Sequence, residues 1–382
     1  MKIGVVGGGY SGIILALLTK RKHPLWDVFL FEHTNKLGKK LSMTGSGRCN
    51  LGNREVNKYS YNSQLAYDVY NNCPLDIQLE ILHDFGILTT EIGQYVYPHS
   101  LSAKQYLDNL ENLLSTLGVR VLKEYELTKY NYNDNFIDLS FTNGITMRVE
   151  KLVFATGGVS FSKTGSDGSI FPILKEHGYS VTPLKPGLNG IITIEDTKSI
   201  VNERLRGVVT LIDNGKTYYK EEGEVIFKKD GLNGICVMNC QSMINRLGLK
   251  NPVLSFDIIP MYTVEETLDY INDHYDSIRK DFLKGLYPTP ISNYLRKRVK
   301  DEKSSCIAFI LKNLTFTYKN DRPIDEASCT IGGLDTRQLS GLQSVTENNV
   351  YFVGEMLNID GLCGGYNLML SFASAYTVAE LF

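Results

Sequence analysis

The apolar positions at the start of the chain predict a strand, a helix and a second strand. Lys2–Val6 is short, apolar and rich in β-branched residues, as buried parallel strands are. Ile13–Lys20 then stays apolar for about two helical turns, and Asp27–Phe31 returns to the strand pattern. Because strands that alternate with helices form parallel sheets with helices on their faces, we predict an α/β fold.

Helix and strand patterns continue through the first half of the chain. Apolar residues recur at spacings of three and four between Ala103 and Leu117, which predicts an amphipathic helix with Ser100 or Ser102 as N-cap and Gly118 at its end. The other elements predicted before residue 156 are Leu65–Asn72 and Leu75–Phe85 as helices, and Arg120–Glu124, Phe136–Phe141, Thr146–Val149 and Leu152–Ala155 as strands.

Two segments of the second half have a different character. Short β-like runs fill 190–257, whereas the region after it is helical, at Val264–Lys284, Ile291–Lys300 and Cys306–Asn313. The chain then closes with an apolar strand, Val350–Val353, and a helix from about Leu368. We therefore predict a cofactor-binding domain formed by 1–189 and 323–382, an inserted β-rich domain at 190–257, and a small inserted helical domain at 258–322.

Three glycines, spaced Gly7-x-Gly9-x-x-Gly12, separate the first strand from the first helix. In dinucleotide-binding folds they permit a tight turn, a close approach of the backbone to a pyrophosphate, and close packing of helix on strand. Glu32, 20 residues beyond Gly12, is suited to bind a ribose hydroxyl and would repel a 2′-phosphate. The motif predicts FAD or NAD and disfavours NADP; the alternative is an ordinary glycine-rich turn.

A second glycine-rich stretch, 37–51, follows Glu32. Gly45 and Gly47 allow close approach of a ligand, Arg48 can bind phosphate or carboxylate in a fork, and Asn50 offers a donor and an acceptor. The alternative is a surface loop that carries cations.

Two later strands end in residues suited to the same ligand. Ala155-Thr-Gly-Gly provides small residues after a strand, and Glu355 follows the strand Val350–Val353, where ligands of open α/β sheets bind. Gly364-Gly365 then begins a helix with a positive N-terminus.

Composition and charge limit the partners. A chain of 382 residues with 43% apolar content is larger than one hydrophobic core usually supports, which indicates two or three domains. With 40 basic and 42 acidic residues the chain is nearly neutral, so we expect small-molecule partners and neither nucleic acid nor a membrane. Because the first strand begins at residue 2, we expect no signal peptide and a cytoplasmic location. The seven cysteines are scattered along the chain, which predicts reduced thiols. Cys236 and Cys240 have no second pair of Cys or His residues near them in sequence, so we expect no metal site. The oligomeric state is not predicted.

These motifs resemble, nearly end to end, the BaiN-type family of FAD-dependent oxidoreductases, and within it the branch that includes aminoacetone oxidase. The motifs that carry the resemblance are the glycine fingerprint, G-K-K-L-x-x-x-G-x-G-R-C-N at 38–50, Y-P-x-S-x-x-A at 97–103, A-T-G-G at 155–158, G-E-V-x-F at 223–227 and G-E-x-L-x-x-D-G-x-C-G-G-Y-N at 354–367. The resemblance implies a Rossmann-like, glutathione-reductase-like FAD-binding domain with the β-domain and the small helical domain inserted.

The resemblance also implies which residues bind FAD. It assigns Gly7, Gly9 and Gly12 to the pyrophosphate, Glu32 to the adenosine ribose, the Val121 backbone to adenine and Glu355 to the ribitol. Arg48, Cys49, Asn50, Gly365, Tyr366 and Asn367 would lie near the isoalloxazine. The remaining expected contacts are Tyr10, Ser11, His33, Lys40, Gly47, Ala155, Thr156, Gly157 and Gly354. We expect Cys49 and Cys363 to be packing residues, and FAD to be held non-covalently.

The family is functionally mixed, so three functions are weighed. In the favoured one a small primary amine such as aminoacetone gives hydride to flavin N5, O2 reoxidises the flavin to yield hydrogen peroxide, and the imine hydrolyses to aldehyde and ammonia. The alternatives are a nicotinamide-dependent reductase of a conjugated double bond and a non-catalytic flavin-binding module. The absence of a second G-x-G-x-x-G between 13 and 382 favours the oxidase.

Candidate catalytic residues are Tyr97, His99 and Tyr366. Tyr97 and His99 flank Pro98 and could line the substrate pocket, where His99 would accept a proton from an ammonium substrate. The alternative for His99 is a helix cap or a surface residue.

Overall fold

The computed structural model describes residues 1–382, which divide into two compact units. The first unit is Met1–Lys185 with Ser328–Phe382, and the second is Pro186–Ala327. The bounds of the first unit lie within a few residues of those predicted for the cofactor-binding domain, 1–189 and 323–382. The second unit contains both the β-rich and the helical segments.

A seven-stranded sheet forms the centre of the first unit. Its strands lie in the order Leu339–Ser340, Gln343–Ser344, Val350–Phe352, Lys151–Phe154, Lys2–Val6, Asp27–Glu32 and Arg120–Lys123. The last five strands run parallel. Gln343–Ser344 pairs antiparallel with Val350–Phe352, and Leu339–Ser340 pairs antiparallel with Gln343–Ser344. Lys2–Val6 is buried from its second residue onward, as its apolar sequence predicts for a strand covered on both faces.

The parallel register brings four predicted site segments to one edge of this sheet. Gly7, Glu32, Ala155 and Glu355 lie at or just beyond the carboxyl ends of four adjacent strands. The ladder extends past the strand ends, since Ala155 N–H donates to the Val6 carbonyl at 2.7 Å and Gly7 N–H donates to the Phe31 carbonyl at 2.8 Å. Residues far apart in sequence therefore share one edge, where ligands of such sheets bind.

Two helices of the first unit are apolar on most sides and pack on each other. They are Tyr10–Lys22 and the last helix of the chain, Tyr366–Glu380. A helix without a polar face is stable only when it is buried, and both helices are mostly buried. This packing ties the two ends of the chain into one unit.

The predicted amphipathic helix is confirmed as Ala103–Leu117. Ser102 is its N-cap, with Oγ accepting from Gln105 N–H, and Gly118 ends it at φ 79°. The other elements of the unit are the helices Gln64–Asn72, Leu75–Asp84 and Ile170–Glu176, the three-stranded sheet Gly52–Asn53, Tyr95–Pro98 and Thr89–Ile92, and the meander Leu127–Asn133, Phe136–Phe141 and Thr146–Val149.

The second unit is built on a closed six-stranded barrel. Its strands follow the order Ile191–Thr193, Gly231–Asn233, Lys216–Lys228, Arg204–Asp213, Pro252–Asp257 and Leu314–Asp321. The helix Ile235–Leu247 packs on the barrel. The helical segment comprises Val264–Asp273, Tyr275–Asp281, Thr289–Arg298 and Ser304–Lys312.

The barrel corrects one detail of the predicted helical segment. Leu314–Asp321, which the prediction includes in 258–322, is a barrel strand that pairs with Pro252–Asp257. The four helices therefore form an excursion between two neighbouring strands of the barrel. Local pattern could not show this, because the pairing joins Val253 to Thr317 across the whole excursion. No helix of the protein combines the length and the apolar character needed to cross a bilayer.

Candidate functional site

The three fingerprint glycines have different local reasons to be glycine. A Cβ on Gly7, whose φ is 112°, would lie 2.4 Å from the Ala155 carbonyl oxygen, and one on Gly12 would lie 2.0 Å from the Gly7 carbonyl oxygen. A Cβ on Gly9 would come no closer than 3.9 Å to any neighbouring atom. The fold therefore requires Gly7 and Gly12, whereas Gly9 has room beside it for a ligand that comes close to its backbone.

The first helix presents free N–H groups at this loop. Gly9 is its N-cap in an extended conformation, and no side chain caps the helix. The side chains of Tyr10 and Ser11 are directed into the protein, because Tyr10 Oη pairs with Tyr106 Oη at 2.9 Å and a Cβ on Gly354 would lie 2.4 Å from Ser11 Oγ. Tyr10 and Ser11 can therefore meet a phosphate through their backbone N–H groups.

Glu32 lies beside the fingerprint loop at the end of the second strand. Its Oε2 accepts from Gly8 N–H at 2.9 Å and its Oε1 accepts from Thr34 N–H at 2.7 Å. The next residue, His33, has Nε2 within 2.8 Å of where a Cβ on Gly165 would lie. Val121 is in the edge strand and pairs with Leu30, so one side of its backbone faces no other strand of the sheet.

Lys40 and Glu355 meet at the carboxyl end of the strand Val350–Phe352. Lys40 Nζ lies 2.9 and 2.8 Å from the two carboxylate oxygens and also donates to Ser160 Oγ at 2.7 Å. Oε1 of Glu355 accepts further hydrogen bonds from Ser160 Oγ at 3.1 Å and from Thr330 N–H at 2.8 Å. The carboxylate predicted to bind ribitol is thus fixed in direction and neutralised by a lysine predicted for the same site.

The 41–50 loop folds through left-handed conformations. Gly45, Gly47 and Cys49 have φ values of 55°, 83° and 61°. Arg48 is exposed, and its guanidinium makes no hydrogen bond or ion pair within the protein, so it is available for an anion. The Cys49 side chain is fully buried, and burial raises the pKa of its thiol to about 12. A thiol in this state is a poor nucleophile, which agrees with non-covalent FAD.

Asn50 faces inward. In the amide orientation that satisfies its neighbours, its Nδ2 donates to the carbonyls of Gly52 at 2.9 Å and Val96 at 3.2 Å. These bonds fix the loop to the small three-stranded sheet. The amide nitrogen is therefore engaged within the protein.

The turn after the strand Lys151–Phe154 lies against the fingerprint loop. A Cβ on Gly7 would also lie 2.8 Å from Thr156 N, and Thr156 Oγ1 contacts Met356 Sδ at 3.9 Å. Gly157 has φ 76°, and a Cβ there would lie 3.0 Å from Ser166 Oγ. Ala155, Thr156 and Gly157 thus border the same space as the phosphate loop.

Gly364 and Gly365 form the turn that begins the last helix. Their φ values are 122° and 98°, and a Cβ on Gly365 would lie 2.7 Å from the Gly52 carbonyl carbon. Both glycines are therefore required by the turn and by its contact with Gly52. The first N–H groups of an α-helix have no intrahelical acceptor, and no side chain caps this helix in their place.

The side chains that follow this turn bond within the protein. Asn367 Oδ1 accepts from Gly361 N–H at 2.8 Å, and its Nδ2 donates to the Gly361 carbonyl at 2.9 Å. Tyr366 Oη donates to the Glu55 carbonyl at 2.5 Å. The turn therefore offers its backbone, rather than these two side chains, to a ligand.

The two remaining candidate catalytic residues differ in placement. Tyr95 and Tyr97 lie on the same face of the strand Tyr95–Pro98, and Tyr95 Cε1 is 3.1 Å from where a Cβ on Gly364 would lie. Tyr97 is half-buried and its hydroxyl makes no hydrogen bond within the protein, whereas His99 is exposed. Tyr97 is thus on the side of the strand that faces the Gly364 turn.

The sequence patterns did not predict four polar residues of this unit. Ser160 and Thr330 bind Glu355, and the hydroxyls of Ser166 and Tyr61 are buried without a hydrogen-bond partner. The only local signal is that Ser160 and Ser166 follow the A-T-G-G motif closely. Thr330 and Tyr61 have none, because other parts of the chain bring them to the site.

These features fit a bound dinucleotide. The open face of Gly9, the uncapped N-terminus of Tyr10–Lys22 and the orphaned Ser166 hydroxyl border one edge of the sheet. The free Arg48 guanidinium and the N-terminus of Tyr366–Glu380, which no side chain caps, are two further groups suited to an anion. No group of three or more His, Cys, Asp or Glu side chains is arranged to hold a metal ion. The fold and the site thus define a Rossmann-type oxidoreductase whose cofactor is FAD.

The chain belongs to the HI0933-like family. The family described as HI0933-like protein Rossmann domain matches residues 1–381. The 3-dehydro-bile acid delta(4,6)-reductase of Clostridium scindens is 25% identical over 98% of this chain and 97% of its own length. The ribosomal RNA dihydrouridine synthase of Haemophilus influenzae is 26% identical over 98% of this chain and 96% of its own. A flavocytochrome c3 fumarate reductase structure has 14% identity and a TM-score of 0.46, over 99% of this chain and 78% of that one.

Proposed function

We propose that the protein is an FAD-dependent reductase of a carbon–carbon double bond conjugated to a carbonyl group. The observation that carries this proposal is that two curated relatives with very different substrates are named for reactions at the same type of bond. A 3-dehydro steroid with 4,6 double bonds is an enone, and dihydrouridine is uridine with two hydrogens added to a double bond conjugated to a carbonyl. Two relatives that act on the same type of bond support the same reaction class for this protein.

Such a reduction needs two things from the protein besides the cofactor. Bound FAD, once reduced by a nicotinamide, supplies the hydride at N5. Hydride addition places negative charge on the carbonyl oxygen, and the neighbouring carbon then takes a proton. The unpartnered Tyr97 hydroxyl is suited to donate that proton, and the uncapped N-terminus of Tyr366–Glu380 is suited to stabilise the negative charge.

Oxidation of a small primary amine such as aminoacetone, with O2 and hydrogen peroxide, is the second candidate. It is supported by the absence of a second dinucleotide fingerprint for a nicotinamide. The exposed position of His99 gives less support to its proposed role as a base for an ammonium substrate. Because one relative is named for ribosomal RNA, an RNA that contains uridine is included among the candidate substrates.

Anaerobic mixing of the purified holoprotein separates the two candidates. NADH or NADPH should bleach the FAD absorbance, and a steroid 4-en-3-one or a uridine-containing RNA should restore it, whereas aminoacetone should leave oxidised FAD unchanged. Bleaching by aminoacetone without a nicotinamide, followed by peroxide release in air, would replace the reductase assignment with the oxidase.

A further inference from the structure

The loop formed by residues 161–168 lies across two strand ends of the cofactor site. A Cβ on Gly165 would lie 2.8 Å from His33 Nε2 and 3.1 Å from Thr34 Cγ2, after the second strand. A Cβ on Gly157 would lie 3.0 Å from Ser166 Oγ, after the strand Lys151–Phe154. These two strands flank Lys2–Val6, which leads into the phosphate loop. The 161–168 loop therefore borders the half of the site that Glu32 and the fingerprint glycines define.

Ser166 is the exception among the hydroxyl groups in this region. Ser160 Oγ bonds to Lys40 and Glu355, and Thr164 Oγ1 donates to the Phe161 carbonyl at 2.7 Å. Ser166 is only 6% exposed, and its Oγ has no hydrogen-bond partner in the protein. A buried hydroxyl without a partner destabilises the fold, so a serine here needs another reason.

We propose that Ser166 donates a hydrogen bond to the adenosine diphosphate half of FAD. Ser166 Oγ lies beside Gly157, and Gly157 directly follows Thr156, whose backbone N lies 2.8 Å from where a Cβ on Gly7 would lie. The hydroxyl and the phosphate loop therefore contact the same turn, 155–157. Phosphate and ribose oxygens are strong acceptors, and a neutral donor adds a bond there without adding charge. The 161–168 loop thereby contributes a cofactor contact that no sequence motif of the site includes.

Removal of this hydroxyl should change the melting temperature of the apoprotein in the direction opposite to the usual one. A hydroxyl that bonds within the protein stabilises the apoprotein, and its removal lowers the melting temperature. An orphaned hydroxyl that serves only the cofactor does the opposite, so Ser166→Ala should keep or raise the melting temperature of the apoprotein while it weakens cofactor binding. These two readouts separate a binding role from a structural one without any activity measurement.

The experiment compares Ser166→Ala with Ser169→Ala, since Ser169 is exposed and its side chain does not cap the following helix. FAD and ADP are titrated into each apoprotein by calorimetry, and each apoprotein is melted. Ser166→Ala should weaken both ligands by about five- to tenfold, as loss of one hydrogen bond does, with no fall in melting temperature. Ser169→Ala should match the unmodified protein in all three measurements.

Three results would overturn the proposal. Unchanged affinity of Ser166→Ala for FAD would remove the contact altogether. A weaker affinity for FAD with unchanged affinity for ADP would move the contact to the flavin half. A melting temperature several degrees lower in the Ser166→Ala apoprotein would show that the hydroxyl serves the fold.

Discussion

Lys40 Nζ and Glu355 Oε2 lie 2.8 Å apart although 315 positions separate the two residues in sequence. Their side chains are 23% and 19% exposed, so the pair is only partly screened by water. Ser160 Oγ and Thr330 N–H also bond the carboxylate. The pair offers a carboxylate acceptor without a net negative charge, as the predicted contact of Glu355 with ribitol hydroxyls requires.

Removal of the lysine should therefore harm FAD binding more than neutralisation of the glutamate. Lys40→Met leaves the Glu355 charge uncompensated near the cofactor phosphates, and we expect FAD affinity to fall by about 10- to 100-fold. Glu355→Gln should cost about tenfold or less, and the double variant should bind FAD better than Lys40→Met alone. Titration of apoproteins by flavin fluorescence quenching measures all three. Strictly additive losses in the double variant would show that the two charges do not interact when FAD is bound.

Substitutions at Gly9 and Gly12 separate the role of the phosphate loop in cofactor binding from its role in folding. Gly9→Val should leave the melting temperature of the apoprotein nearly unchanged and abolish FAD retention, because the new side chain fills space beside the loop that the pyrophosphate needs. Gly12→Ala should destabilise the apoprotein itself, since its Cβ would lie 2.0 Å from the Gly7 carbonyl oxygen. Stoichiometric FAD in purified Gly9→Val would contradict the assignment of this loop.

Cys49 provides a check on how the flavin is attached. Because burial raises the pKa of its thiol to about 12, almost none of it is thiolate at pH 8. Iodoacetamide should leave Cys49 unmodified in the native holoprotein, and acid precipitation should release all flavin as intact FAD. Peptide mass analysis detects both outcomes. Flavin that remains on a peptide containing Cys49 or Cys363 would disprove non-covalent binding.

Substitutions at Tyr97 and His99 test the proposed proton transfer. Tyr97→Phe should lower kcat for enone reduction by about 100-fold or more, because general acids contribute roughly that factor, and should leave reduction of FAD by the nicotinamide unchanged. His99→Gln serves as the control and should retain both rates, since His99 is exposed. Stopped-flow absorbance at the flavin band separates the two half-reactions. Equal kcat in Tyr97→Phe and the unmodified protein would exclude Tyr97 as the proton donor.

The sequence was most informative where local chemistry decides structure. The fingerprint predicts the strand, turn and helix at Gly7–Gly12, and apolar spacing with a serine cap and a closing glycine predicts Ala103–Leu117. Each of these depends on residues within one or two turns of one another. The same is true of Glu355, whose place at a strand end follows from the apolar run before it.

Features formed by segments that are distant in sequence could not be predicted from local sequence patterns. Thr330 carries no motif, and its role follows only from folding, which brings its N–H 2.8 Å from Glu355 Oε1. Gly365 is expected near the flavin, and the fold adds a second reason for glycine at this position, its close contact with the Gly52 backbone, which the sequence does not indicate. The barrel strand Leu314–Asp321 fell inside a predicted helical segment because its partner strand lies beyond four helices. Burial and partners decide such features, and neither is written in local periodicity.

We expect a buried polar cluster, away from the residues predicted to bind the cofactor, to contribute to the acid stability of the first unit. Glu347 is 8% exposed, and it accepts from Tyr130 Oη at 2.7 Å, from Tyr179 Oη at 2.8 Å and from His177 Nδ1 at 2.8 Å. Burial pushes the pKa of Glu347 upward, but the hydrogen bonds from His177, Tyr130 and Tyr179 outweigh burial and hold that pKa below its ordinary value.

Because the pKa of Glu347 is lower in the folded chain than in the unfolded chain, its ionised form stabilises the fold above the unfolded pKa of about 4.3. That stabilisation is lost as the pH falls through the lower folded pKa. Glu347→Gln should cost about 2 to 4 kcal/mol in free energy of unfolding at pH 7, where a buried charged acceptor is replaced by an amide. The difference between the two proteins should shrink as the pH falls from 5 toward 3.

Urea unfolding of both apoproteins, followed by circular dichroism at pH 7, 5 and 3.5, measures this difference. Glu176→Gln is the control, since Glu176 is exposed beside His177 and should behave like the unmodified protein at every pH. A Glu347→Gln deficit that stays constant or widens between pH 7 and 3.5 would show that ionisation of Glu347 is not what the cluster stabilises. The cluster would then act through its packing, in which the His177 and Tyr130 rings stack with centroids 3.6 Å apart.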